Sequence, residues 1–414
     1  MVRARGLGTQ LVVAALLFSA ASAIAANSNP IRPFDVQYIV EPLPASDQLR
    51  VSIALGNGHD LVKEVTLKFD AKRFSQLKAN AGLSIGQGSA VWVPTGSAPS
   101  LSYLVKVTHR KDQDSYNARM TPKWALFRGD KVFPGIKARL KKGARSRATM
   151  RFKMPADWTN VDAGYLRRQD DSFLIDNPER HFDRPVGWII AGQVGTRRDQ
   201  LGLTEVSVAA PKGDPLDRMD ALTFINFAWP TIESAFGKTP PKILIAGAGD
   251  PMWRGGLSAS NSLFLHSERP LVSENATSTL LHELTHVVTR IRGKERSDWI
   301  AEGIAEFYSI ELSYRAGGMT ETRYAAVHQD LRQWGKPVTS LRGDHSTGPQ
   351  TARAVQLLKA VDTEIRTRTK GKKDLDDVTR ILRAGRKVST ADFIKACETV
   401  AGGKLDALTT PLLR

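Results

Sequence analysis

Leu281-His282-Glu283-Leu284-Thr285-His286, followed sixteen positions later by Glu302 in Trp299-Ile300-Ala301-Glu302-Gly303-Ile304-Ala305, is the stretch that organises the reading of this chain. On a helix, side chains four apart lie one turn above each other on one face. His282 and His286 can therefore grip a single ion, with Glu283 beside them to handle protons. This is the H-E-x-x-H arrangement of zinc hydrolysis, which needs a helix, two neutral imidazoles and a nearby carboxylate. Leu280, Leu284, Val287, Val288 and Ile291 repeat with helical spacing around it. Ser273 or Asn275 is the expected cap, and Gly293, after Arg290 and Arg292, the expected stop, with cations at the negative end of the dipole.

A hydrolytic zinc takes three protein ligands and leaves one position open for water. Glu302 is the expected third ligand, at the start of a second helix that Asp298 would cap. Ile300, Ile304, Phe307 and Ile310 give that helix an apolar side. Gly303 would let another backbone pass close by. Glu306, one turn beyond Glu302, is either a solvated surface charge or a carboxylate that takes the free N–H of a ligand histidine. In such a site zinc lowers the pKa of its water toward about 7 and polarises a carbonyl oxygen, while Glu283 takes the proton and hands it to the leaving amine.

His-Glu-Leu-Thr-His with Trp-Ile-Ala-Glu-Gly-Ile-Ala resembles the gluzincin metallopeptidases, and among them most closely the glycyl aminopeptidase family. Phe173-Leu174-Ile175-Asp176-Asn177-Pro178-Glu179 resembles that family's D-x-P segment. Asp362-Thr363-Glu364-Ile365-Arg366 and Lys372-Lys373-Asp374-Leu375-Asp376-Asp377-Val378 resemble its closing helices. The likeness runs from about Phe34 to Thr399, specific at the metal site and loose elsewhere. It implies an α+β chain, with an N-terminal β-sandwich-like domain followed by a thermolysin-like, mostly helical catalytic domain. It also implies Zn2+ as cofactor and peptides or proteins as substrates.

The chain departs from the pattern in three places. Relatives carry a glutamate that binds the substrate's free amino group, and in Arg254-Gly255-Gly256-Leu257-Ser258-Ala259-Ser260-Asn261-Ser262 the aligned position is Ser258. Glu268 or Glu274 could replace it by swinging in. The tyrosine that donates to the tetrahedral oxyanion falls at Gln350 or Thr351, and the family's C-terminal PDZ-like module has no counterpart before Arg414.

Length and composition set the remaining bounds. With 414 residues and 41% hydrophobic content, two or three domains can each bury a core. Arg3 and Arg5 before the apolar run Leu11 to Phe18, then Ala23-Ile24-Ala25, form the three-part pattern of a secretory signal over residues 1–26. The expected location is therefore periplasmic or secreted, with no transmembrane segment once the signal is removed. The single cysteine, Cys397, sits in an apolar helical pattern and reads as packing. There are 59 Lys+Arg against 42 Asp+Glu, a net charge of +17. Basic clusters run from Lys137 to Lys153 and from Arg366 to Lys373. Solvated basic faces explain them most simply, and an anionic envelope polymer is a possible partner. No nucleic-acid motif accompanies the charge.

Short alternating runs such as Val36 to Val40, Leu49 to Leu55, Val65 to Phe69, Leu101 to Val107 and Leu203 to Ala209 mark residues 27–210 as β-rich. Pro211-Lys212-Gly213-Asp214-Pro215 reads as the linker into a catalytic domain over 211–414. Met219 to Phe236 reads as a helix interrupted near Pro230. Of the eight histidines, His266, His328 and His345 could reach the site, while His59, His109 and His181 read as surface or turn residues. Two function classes stay open: an exported zinc peptidase with Glu283 as base, and a weakly active or inactive envelope protein that binds zinc and peptides or anionic polymer.

Overall fold

The computed structural model describes residues 30–414; the signal pattern over 1–26 lies outside them. The described chain is α+β. Its first part is built of three antiparallel-rich sheets that share one core around Phe34, Tyr38, Val51, Trp92, Tyr103, Phe127 and Phe133. The largest sheet has six strands, with Arg32–Leu43 paired in parallel to Ala144–Phe152 and antiparallel to Gln48–Leu55. The alternating runs read in the sequence supply these central strands, because successive side chains point to opposite faces and every second one is apolar.

A second five-stranded sheet carries the site. Its order is Val194–Leu201, Thr204–Pro211, Lys242–Ala248, Ser262–His266 and, at the edge, Gly256–Ala259. The two strands before Pro211 thus belong to this sheet: Thr204–Pro211 pairs in parallel with Lys242–Ala248. The division expected at 210/211 falls inside one sheet, and the crossing lies near Gln193. The reason is that strand patterning reports the buried face and is silent about which sheet a strand joins. Trp188–Gly192 holds the two parts together. Ile189 and Ala191 enter the first core, while Trp188 and Ile190 pack with Leu244, Ala246 and Phe264 of the second sheet.

Eight helices occur among the described residues: α1 (Gly129–Val132), α2 (Arg218–Phe236), α3 (Thr279–Thr289), α4 (Asp298–Arg315), α5 (Glu321–Gly335), α6 (Pro349–Arg368), α7 (Leu375–Gly385) and α8 (Thr390–Ala401). α2 runs unbroken through Pro230, in place of the expected interruption. Ile225, Ala228, Trp229 and Ile232 hold its inner face in the core, whereas Pro230 and Asn226 are exposed, so the carbonyl freed by the proline meets water. None of the helices is long and apolar enough to cross a membrane. Cys397 is buried in α8, and burial pushes its thiol up.

Candidate active site

α3 presents the two histidines. It is a single amphipathic helix whose Leu280, Leu281, Leu284, Val287 and Val288 are buried, each stabilising it by roughly 1.5–3 kcal/mol relative to exposure. Its cap is Ser278, whose side chain accepts from Leu281 N at 3.2 Å, and not Ser273 or Asn275. Ser273 instead closes its own turn onto the Thr277 carbonyl. The helix stops at Arg290, which adopts a left-handed conformation (φ 56°), and not at Gly293. Gly293 serves packing, since a Cβ there would meet the Ser297 carbonyl at 2.5 Å.

α4 brings Glu302 opposite. Ser297 precedes it and Asp298 is its first residue, with the Asp298 carboxylate accepting from Ser346 N at 2.9 Å, so the expected capping role passes to a loop tie. Gly303 allows the close approach foreseen for it: an added Cβ would meet Ala354 Cβ of α6 at 2.9 Å. This contact fixes α4 against α6 and so fixes how far Glu302 projects.

The metal-ligating atoms of His282, His286 and Glu302 all lie within 4.8 Å of one another. His282 Nε2 and His286 Nε2 are 3.2 Å apart, and each is 3.4 Å from an oxygen of Glu302. Two imidazole nitrogens and a carboxylate converging on one point is a donor set of zinc type. The electrostatics agree. Burial opposes a positive charge on His282, yet Glu302, Glu306 and Glu283 outweigh it and raise its pKa to about 10. Burial likewise opposes charge on Glu302, but hydrogen bonds from His282 and His286 hold its carboxyl well below the usual range. The pocket calls for a cation, and the residues fit zinc.

Glu306 accepts from His282 Nδ1 at 2.9 Å. That contact selects the orienting role over the solvated one, because it fixes the ring with Nε2 toward the other ligands. Glu306→Ala is expected to weaken zinc affinity about 10–100-fold, measured by titration against a competing chelator. Unchanged affinity would return Glu306 to the status of a surface charge.

Glu283 is 8% exposed and its Oε2 accepts from Ser258 N at 2.7 Å. The edge strand lies against α3 only because Gly256 has no side chain: a Cβ would meet Glu283 Cγ and Thr279 Cγ2, both at 2.7 Å. The first part of the chain pins this strand and its neighbour Ser262–His266. Trp188 Nε1 donates to the Leu257 carbonyl at 2.8 Å and Trp188 N to Ser262 Oγ at 2.7 Å.

These residues open onto a cleft of about 780 Å³ lined by Gly256 to Ser260, Glu283, His286 and Glu302. The remaining histidines fall elsewhere. His266 is buried against Asp250 at 3.2 Å. His328 is buried beside Tyr324, where burial first, then Lys359 and Arg332, depress its pKa to about 3. His345 is exposed.

Neither Glu268 nor Glu274 lines the cleft among the described residues; Glu268 pairs with Arg254 at 3.3 Å. Gln350 donates to the Leu341 carbonyl and Thr351 meets Ser346, so neither supplies the oxyanion donor, and no tyrosine lines the cleft among the described residues. Sequence reading missed the cleft residues Glu179, Arg180, Trp253, Arg290, Arg292, Arg386 and Lys387. Asn177-Pro178-Glu179 left a trace as part of the stretch that resembles the D-x-P motif, and Arg290 and Arg292 as cations at the helix end, with no role in the cleft attached to them. The two basic clusters are partly neutralised. Arg139, Lys141, Arg147 and Arg151 each pair with a carboxylate, as do Arg366, Arg368 and Lys373.

No protein-family profile and no curated protein sequence matches the chain. Solved structures do. An aminopeptidase N family protein from Idiomarina loihiensis is 15% identical with a TM-score of 0.65, over 87% of this chain and 72% of its own. The M1 zinc metallopeptidase from Deinococcus radiodurans is 14% identical with a TM-score of 0.56, over 93% of this chain and 94% of its own. Legionella pneumophila aminopeptidase A, in complex with aspartic acid, is 13% identical with a TM-score of 0.54, over 93% of this chain and 49% of its own. At these identities the likeness establishes the fold, which the chain shares with these solved structures.

Proposed function

We propose that the chain is an exported zinc-dependent peptidase, related within the gluzincins to the glycyl aminopeptidase family, in which His282, His286 and Glu302 hold the metal and Glu283 is the general base. The observation that carries this reading is the convergence of the three ligand side chains within 4.8 Å beside a glutamate whose carboxylate faces the same cleft. When bound, zinc supplies Lewis acidity toward a carbonyl oxygen and brings the pKa of a water toward about 7. Ser258 N–H fixes one oxygen of Glu283 and leaves the other to take the proton of the attacking water and return it to the leaving amine. Glu306 keeps His282 in the required orientation.

An extended peptide would lie along the edge strand. His266 N donates to the Gly255 carbonyl at 2.9 Å, so the alternate residues Gly256 and Ser258 turn their backbone groups away from the neighbouring strand. Of these, Ser258 N–H is taken by Glu283, while the Gly256 groups and the Ser258 carbonyl stay available to a substrate. Ser258 offers no charge to a substrate ammonium, and Glu179, which also lines the cleft, is paired with Arg386. Peptides with acetylated and free amino termini are therefore expected to be cleaved at similar rates by the zinc-loaded protein. A matched pair of fluorogenic peptides, with Glu283→Gln as control, measures this. A strong preference for the free amine would restore an aminopeptidase register.

The second reading, a peptide-binding protein of little or no activity, is favoured by the cleft's lack of a tyrosine among the described residues. Peptide binding without turnover in zinc-loaded protein would select it. Export rests on the N-terminal pattern alone, and predicts that native protein begins near Ala26 or Asn27; residues 1–18 intact on membrane-bound material would favour an uncleaved anchor instead.

A further inference from the structure

We infer that the end of the cleft beyond His286 is a carboxylate-binding subsite, built by Arg290, Arg292 and Lys387, which selects anionic peptides. This rests on the peptidase reading and names its substrate class. Arg290 ends α3 four residues after His286, and with Arg292 and Lys387 it lines the same cleft as His286 and Glu302. Arg292–Gly293 then pairs in parallel with Lys387–Val388, putting Arg292 opposite Lys387. Like charges held opposite each other on paired strands repel. Here the backbone imposes that pairing, through Arg292 N donating to the Arg386 carbonyl at 2.7 Å and Lys294 N to the Val388 carbonyl at 2.8 Å.

Nothing in the described chain neutralises the three. Arg290 donates to the neutral side-chain amide oxygen of Asn261, and neither it nor Arg292 nor Lys387 has an ion pair among the described residues, although Arg386 beside them does. Arg290 has its pKa lowered by burial and, further, by Arg292. A role in countering the α3 dipole accounts for Arg290 at the helix end but not for Lys387, which arrives from the segment after α7. Carboxylates do fit this wall: Glu179 sits on Arg386, the residue before Lys387.

A carboxylate here has two sources, an acidic side chain or a short peptide's own C-terminus. The test measures binding to zinc-loaded Glu283→Gln protein by fluorescence anisotropy. The probes are labelled pentapeptides, either all-neutral or with one aspartate, each with a free or an amidated C-terminus. The expected result is about tenfold tighter binding of the anionic forms, shrinking as salt rises. An advantage that follows the aspartate identifies a side-chain pocket, and one lost on amidation identifies C-terminal recognition. Arg292→Gln/Lys387→Gln protein should lose the preference. The single variant Lys387→Glu, in which the backbone pairing is untouched and the new carboxylate stands opposite Arg292, should lose the preference as well.

Equal binding of neutral and anionic peptides would overturn the subsite while leaving the peptidase reading intact, provided the wild-type protein cleaves them. An anionic preference with no cleavage by the wild-type protein would sink the peptidase reading and keep the subsite. Competition by soluble anionic polysaccharide, with no discrimination among peptides, would overturn it in favour of polymer docking.

Discussion

Glu283→Gln is expected to leave the zinc content at about one per chain and to lower turnover of a cleaved peptide by roughly 10²–10⁴-fold. Glutamine fills the same volume and still accepts the Ser258 N–H bond through its carbonyl oxygen, so the edge strand and α3 stay in register. What it loses is the ability to take a proton. Glu283 is absent from the convergent ligand set, so metal retention and loss of turnover should separate. Elemental analysis and single-turnover cleavage on the same preparation make the comparison. Retained activity would point to another base, and lost zinc would mean that Glu283 supports the ligands as well as the proton transfer.

Glu302→Ala and His286→Ala are expected to abolish stoichiometric zinc, and activity with it. Removing Glu302 takes away the only anionic member of the ligand set and leaves two imidazole nitrogens 3.2 Å apart. The loss has a readout that needs no substrate. A ligand that binds only the folded state stabilises it by about 2.7 kcal/mol at a hundredfold excess over Kd. Zinc should therefore raise the melting temperature of the wild-type protein and leave that of Glu302→Ala unchanged. Full zinc occupancy in Glu302→Ala would remove that residue from the ligand set.

Local chemistry made the centre of this site legible before any coordinates. H-E-x-x-H and the later Glu302 declare themselves because helical periodicity converts a spacing of four into a shared face. Gly303 was readable for the same reason, since a residue with no side chain inside an apolar helix marks a close neighbour. Helix ends were read less well. Ser273, Asn275 and Ser278 are all competent caps, and the choice of Ser278 depends on where the chain leaves the edge strand. Arg290 in place of Gly293 as the stop followed from no residue preference, because an arginine pays a steric cost in the left-handed region that only its surroundings offset.

The sequence by itself determined the α+β class, the strand-forming runs, the helix that carries the histidines and the identity of the three convergent side chains. Each depends on contacts within a few residues or on a period of two or 3.6, and such regularities are written locally. Tertiary structure alone decided which sheet Val194–Leu201 and Thr204–Pro211 join, that Glu306 meets His282, that Ser258 N–H holds Glu283, and that Arg292 and Lys387 stand side by side at the cleft. Those pairs are separated by between 24 and 95 positions in the chain. No local pattern encodes them: they form because the packed cores bring distant backbones to within hydrogen-bonding distance.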